Sequence, residues 1–338
     1  MANNAVTAKA RAIHGKLLNR DDYVTLMHKG TIPQAVAYLR TKPLYTAVFA
    51  EADEAQIRRA QAEQLINKNV FDNYIRVAKF SAMGKDSILS FLIRQLEAEQ
   101  LIKAVIAINS GNKDGFVAAF PDYMTKHFCF DPIRLAGEKE LSGMVEQLKG
   151  TMYHKPLKNQ LAEAPGDVNR LVTTINVCYI KWAFDRIDSY ARGETRETLK
   201  NFFLRKIDAD NLLMCYRMKS TFGAGAAEIH ELLIPYHRKL RPVEIDDALK
   251  TPDPVAALRD MFVSQHVVTA EVSDIPEVNI NVSDHRYFRH CLAVSKDEVE
   301  SLYSLMMLFR DESTNLCRII EGLRYSVAPE EIEKYLII

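Results

Sequence analysis

The chain has 338 residues, 48% of them hydrophobic, with 44 basic residues balanced by 44 acidic ones. That length and apolar content support a substantial core and usually divide into two or three domains. A neutral balance leaves no bulk positive field to hold a phosphate backbone or an anionic bilayer, so no nucleic-acid partner is expected.

The N-terminal "MANNAVTAKARAIHGKLL" lacks the uninterrupted apolar core of a signal peptide. No stretch reaches the roughly 18 apolar residues that a spanning helix needs. A soluble protein is expected, able to sit on something embedded in a membrane. Cys129, Cys178, Cys215, Cys291 and Cys317 are scattered with no CxxC pair. Neither a zinc knuckle nor a disulfide framework is indicated, and a reducing cytoplasm fits best.

Proline removes a backbone donor and clashes with the preceding turn, so proline-free stretches are where long helices can run. Three such stretches are open, residues 44–120, 166–234 and 277–328. Within them "NYIRVAKF", "ILSFLIRQL" and "RLVTTINVCYIKWAFDRI" place large apolar residues three and four apart, which is helical spacing. An all-α chain with one long helical region per third is expected. The exception is "VVTAEVSDIPEVNINV" over 267–282, whose partly alternating β-branched residues predict a short β-rich flap or hairpin.

A short pattern recurs. Asp208, Asn211 and Leu212 in "IDADNL" match Glu97, Gln100 and Leu101 in "LEAEQL", and Glu312, Asn315 and Leu316 in "DESTNL". A second marker keeps its distance to the first: Leu39, Leu148 and Leu258 lie 62, 64 and 58 residues before Leu101, Leu212 and Leu316. Three similar helical units are the economical reading, over 1–127, 128–240 and 241–338, with C-terminal residues packing back on the first. An acid followed three residues later by an amide suits the first turn of a helix, where both side chains can serve free amides. Polar positions on a longer helix are the alternative for Asp208 and Asn211. The apolar "LLMCY" that follows predicts a central buried helix, ended by Gly223 and Gly225.

No motif carries catalysis. "FSAMGKDSIL" (80–89) has Lys79 where a Walker A loop needs glycine and Asp86 where it needs Ser or Thr, so a loop with Asp86 or Ser87 capping the next helix is expected. "FGAGAAE" has Glu228 at the third glycine position and reads as a turn between helices. "HELLIPYH" puts Ile234 at the second ligand position of a zincin helix and Pro235 directly after it. His285 and His290 of "HRYFRHC", five apart, fall on different helix faces. No GxSxG elbow or glycosidase carboxylate pair is found. The basic run "YHRKLR" (236–241) reads as a solvated face, with a partner contact as the alternative.

Several ordered stretches resemble one family, the C subunit of vacuolar/archaeal-type rotary ATPases, called subunit d in eukaryotes. These are "KLLNRDDYVTLMHKGTIPQAVAYLRTKPLY" (16–45), "SGMVEQLKGTMYHKPL" (142–157), "LRKIDADNLLMCYRMK" (204–219), "HELLIP" (230–235) and "APEEIEKYLI" near the C-terminus. Segment 267–282 and the "SAMGKDS" loop have no counterpart in that pattern. The resemblance implies three helical units in a pseudo-threefold funnel. It implies a non-catalytic socket with no catalytic, cofactor-binding or metal residues and no small-molecule substrate. The implied partners are the rotor-shaft subunits of the central stalk and the membrane rotor ring, met peripherally on the cytoplasmic face during proton or sodium transport. Arg217 and Lys219 are candidate partner contacts, although capping of a helix C-terminus is the reading their position favours. A helical-repeat adaptor unrelated to rotary motors is the competing expectation.

Overall fold

The computed structural model describes residues 2–53, 56–79, 85–270 and 273–338. Every regular element among them is helical. The order is α1 (Ala2–His14), α2 (Arg20–Met27), α3 (Ile32–Arg40), α4 (Arg59–Ala78), α5 (Lys85–Ser110) and α6 (Lys113–Ala119), then a 3-10 helix (Asp122–His127). There follow α7 (Pro132–Ala136), α8 (Leu141–Gln147), α9 (His154–Glu163), α10 (Val168–Tyr190), α11 (Gly193–Phe222) and α12 (Ala226–Glu231). The last are α13 (Pro242–Leu249), α14 (Pro254–Ser264), α15 (Pro276–Val294), α16 (Glu298–Arg324) and α17 (Pro329–Glu333). Each proline-free stretch therefore holds a pair of long helices, α4 with α5, α10 with α11 and α15 with α16. Most of the short helices occupy the proline-bearing segments, while α6 and α12 follow the long helices within two of the proline-free stretches.

Local chemistry sets the starts. Asn19 and Asp22 form a reciprocal capping box on α2, and Thr31, Asp131, Asp167, Asp253 and Asp297 each accept an amide of the first turn they precede. Proline occupies the first turn of α3, α7, α13, α14, α15 and α17, where its missing N–H is not needed. At the end of α11, Gly223 turns left-handed (φ 63°), and its amide and that of Ala224 return to the carbonyls of Lys219 and Met218.

Two compact units are present, residues 1–89 with 268–338, and residues 90–267. In the first, α16 packs against α15, α4 and α1 and also touches α2, α3 and α17. Because neighbours surround it, α16 buries residues on nearly every face, Ser301, Ser304 and Asn315 among them. Its C-terminal half joins one core with the N-terminal segment: Leu316, Ile319 and Ile320 pack with Leu26, Leu39, Tyr45, Phe49, Ile66, Ile332 and Leu336. Tyr74 sets its ring edge against Phe309 and donates to the Met306 carbonyl at 2.5 Å. Arg11 holds α1 to the end of α15 by donating to the carbonyls of Leu292 and Ser295. In the second unit α11 packs against α14, α10 and α12. An aromatic group of Phe91, Tyr179, Trp182 and Phe203 fills the space beside α10.

The β-rich flap expected over 267–282 is not formed among the described residues. Residues 267–270, 273 and 274 are bends, and α15 begins at Pro276. Val278, Asn279, Ile280, Val282 and Ser283 are all buried, so this helix is covered on several faces. An apolar residue at every second position then fits a helix as well as a strand. Two amides of this segment are taken by side chains of α15. Ser273 N–H donates to Asn279 Oδ1 at 2.9 Å, Asn279 Nδ2 donates back to the Ser273 carbonyl at 2.7 Å, and Thr269 N–H donates to Ser283 Oγ at 3.3 Å. The glycine-lysine stretch around Gly84 lies outside the described residues, as do the side chains of Asp86 and Ser87.

Candidate functional site

The three acid–amide–Leu markers lie in the interior of the long helices α5, α11 and α16, and they are buried. Glu97, Asp208 and Glu312 are 0%, 4% and 3% exposed, and Leu101, Leu212 and Leu316 are 0%, 0% and 1% exposed. Acid, amide and leucine at i, i+3 and i+4 share one helix face, so each long helix points all three into its own packing. These residues do not cap the first turn of the helix that carries them. A buried carboxylate must find donors elsewhere, and each finds them in a different segment of chain.

In α16, Glu312 receives the Leu18 amide at 2.5 Å and the Tyr45 hydroxyl at 2.7 Å. Three residues on, Asn315 receives the Ile337 amide and donates to the Ile337 carbonyl, both at 2.8 Å. In α11, Asp208 accepts the amides of Arg238, Lys239 and Leu240 at 3.0, 2.8 and 3.3 Å. Asn211 receives the Ile234 amide at 2.9 Å and donates to its carbonyl at 3.0 Å. In α5, Glu97 accepts the Cys129 amide at 2.8 Å and the Cys129 thiol at 3.3 Å, and it pairs with Arg94. Gln100 beside it is buried.

A common geometry emerges. Each acid holds the amide of a residue that stands just before a short helix: Leu18 before α2, Cys129 before α7 and Leu240 before α13. Leu39, Leu148 and Leu258, the second marker, are each 0% exposed on α3, at the end of α8 and on α14. Two tyrosines extend the pattern, and the sequence markers missed them. Tyr45 donates to Glu312, while the Glu97 carboxylate, after burial, raises the Tyr153 hydroxyl well above its ordinary range. Their sequence signal is the spacing of a tyrosine six residues after Leu39 and five after Leu148.

The electrostatics follow burial. Glu312 is pushed up to about 7 by desolvation, which outweighs its bonds from Tyr45 and Leu18. Burial also raises Tyr45 and Tyr23, and the Glu312 carboxylate adds to both. Asp22 is drawn upward by burial, but the ammonium of Lys42 at 2.5 Å, with bonds from Asn19 and Tyr38, holds it below its ordinary value. Cys129 is pushed up to about 12 by burial and the neighbouring Glu97. Each acid has at least two donors, so the clusters fix chain segments rather than present a reactive group.

Arg217 and Lys219 lie apart from these clusters, in the last turns of α11. Arg217 is exposed, and Lys219 Nζ donates to the Ala224 carbonyl at 3.2 Å, just beyond the helix end. His230 pairs with Asp246 at 2.5 Å and His285 with Asp311 at 2.8 Å. Among the described residues no group of three His, Cys, Asp or Glu side chains is placed to hold a metal ion. No described helix is long and apolar enough to cross a membrane.

A family model described as ATP synthase (C/AC39) subunit matches residues 6–335, nearly the whole length. No curated protein matches the chain. With its helical architecture and its markers buried in equivalent positions on three long helices, the chain belongs to the C/AC39 subunit family of the V/A-type rotary ATPases.

Proposed function

We propose that this subunit is the non-catalytic socket of the central stalk. It receives the rotor-shaft subunits of the ATP-hydrolysing head and couples them to the membrane rotor ring for proton or sodium transport. It would sit peripherally on the cytoplasmic face and be built from three sequential helical units, 1–127, 128–240 and 241–338, around one axis.

Beyond family membership one observation carries this reading. The acid of each long helix ties down the segment that opens the next short-helix region, and the last long helix ties down the first segment through Leu18 and Tyr45. A part that transmits torque must resist deformation. Buried, close-packed helices with their connections pinned by buried hydrogen bonds supply that stiffness. An open-ended adaptor has no need for its last helix to hold its first segment.

The test is reconstitution. The purified chain is expected to hydrolyse no ATP and to form a one-to-one-to-one complex with the rotor-shaft pair, read by native mass spectrometry. Tagged in its own cell, it should co-purify from gently solubilised membranes with shaft, ring and ATP-hydrolysing subunits. Recovery alone from cytosol, with no shaft complex, would overturn the coupling role.

A further inference from the structure

The segment between α12 and α13 carries the basic run His237-Arg238-Lys239-Leu240-Arg241. It is irregular in conformation yet firmly held. Asp208 accepts the amides of Arg238, Lys239 and Leu240, and Asn211 clasps both polar backbone groups of Ile234. Ile234 and Leu240 are buried at the two ends. Because the backbone amides face the buried Asp208, the side chains of Arg238 and Lys239 are left outward, and both residues are exposed, as is His237.

The tie itself does not call for cations. It uses backbone amides only, so it leaves side-chain identity open. In the equivalent tie to Glu97 the chain places Phe128, Cys129 and Phe130, with the Phe128 ring edge-on to Phe120 and tilted against Phe130. Many exposed cations of this protein have an acid at hand, such as Lys68 with Asp72, Lys158 with Glu146 and Lys206 with Asp210. Arg238 and Lys239 have no ion pair among the described residues, although Glu244 is close enough to bind the neighbouring Arg241 at 2.9 Å. Two adjacent cations on a rigid loop are pre-organised: a partner that binds them does not have to order the backbone first.

We propose that the Arg238–Lys239 loop is a docking point for an acidic protein surface, a cluster of Asp and Glu side chains on another subunit of the rotary complex. This rests on the central-stalk reading for the identity of the complex. A protein surface fits better than an anionic bilayer. Glu244 and Asp247 follow within the first turns of α13, so a uniformly negative plane would meet like charge beside the loop. A partner with its own pattern of charge can match the cations and avoid the acids.

Lysine footprinting of the intact complex, drawn from membranes by a tag on this chain, tests the proposal. Lys239 is expected to react with an acetylating ester about tenfold more slowly in the complex than in the isolated chain, and a zero-length carbodiimide should link it to an Asp or Glu of another subunit. The double variant R238E/K239E should keep the melting temperature, since the Asp208 bonds are to backbone, and release its partner at a lower salt concentration than wild type. Equal acetylation in complex and isolated chain, or an unchanged salt midpoint in the variant, overturns the proposal. So does protection that appears only with phosphatidylglycerol vesicles and not with phosphatidylcholine vesicles, which would assign the loop to lipid. Failure of the chain to bind the rotor-shaft pair would count against the socket reading alone, because the footprint reports on whichever subunit the tagged chain carries.

Discussion

Replacing Glu312 by Gln separates the charge of the buried acid from its hydrogen bonds. Glutamine keeps an oxygen for the Leu18 amide and an amide group beside the Tyr45 hydroxyl, so the shape of the contact is retained. The wild-type carboxyl is pushed from 4.5 to about 7 in the folded protein. The folded state therefore holds this proton more tightly than the unfolded chain. Its contribution to stability is fully present below about pH 4.5 and is lost as pH rises through about 7. At 1.36 kcal/mol per pH unit, that interval corresponds to about 3 kcal/mol. Between pH 4.5 and pH 8 the stability of E312Q should accordingly rise by about 3 kcal/mol relative to wild type, with other titrations cancelling in the difference. Urea unfolding followed by far-ultraviolet circular dichroism is the appropriate assay, since the single tryptophan, Trp182, belongs to the 90–267 unit and not to the unit that holds Glu312. Parallel pH profiles for the two proteins would refute the reasoning and place Glu312 near its ordinary carboxylate value.

Three further outcomes are expected. Asn315→Ala leaves the buried Ile337 amide and carbonyl without partners and should cost about 2–4 kcal/mol in urea unfolding, with faster hydrogen exchange over 336–338; Asn211→Ala should act likewise at Ile234. Gly322→Ala would bring its new Cβ within 2.4 Å of Ile332 Cδ1 and 2.6 Å of Cγ1 and should destabilise by about 1–3 kcal/mol. The penalty should shrink in the background of Ile332→Ala if the clash is the cause. Cys129 is exposed, but its thiol donates to the buried Glu97 carboxylate and is pushed up to about 12 by desolvation and that carboxylate, so it should alkylate at pH 8 about tenfold or more faster in the urea-unfolded chain than in the folded one; equal rates would contradict the Glu97 contact.

Much of this architecture is legible in the chain itself. Proline placement alone locates the three long helical regions, because a missing donor and a steric clash act locally and need no tertiary context; that each region is a pair of helices it does not say. The markers Glu97, Asp208 and Glu312 are recognisable for a related reason: a charged residue among apolar neighbours on a long helix stands out whatever it eventually binds. What those acids bind is not legible. Their donors lie 32 residues away at Cys129, 30 to 32 away at Arg238 to Leu240, and 294 away at Leu18. A backbone amide is present at every non-proline residue, so it leaves no mark in the sequence to say which one is held.

The misread segment at 267–282 has the same origin. Period-two spacing separates strand from helix only when one face is wet, and α15 buries Val278, Asn279, Ile280, Val282 and Ser283 together. The sequence by itself determined the helical class, the repeated marker and the helix end that Gly223 sets, since each depends on interactions within a few residues. Only the tertiary structure decided that the last long helix holds the first segment, that Asp208 turns a basic run outward, and that Glu312 is poised near neutrality. Each of these depends on which distant groups burial brings to a carboxylate, and burial is a property of the whole fold.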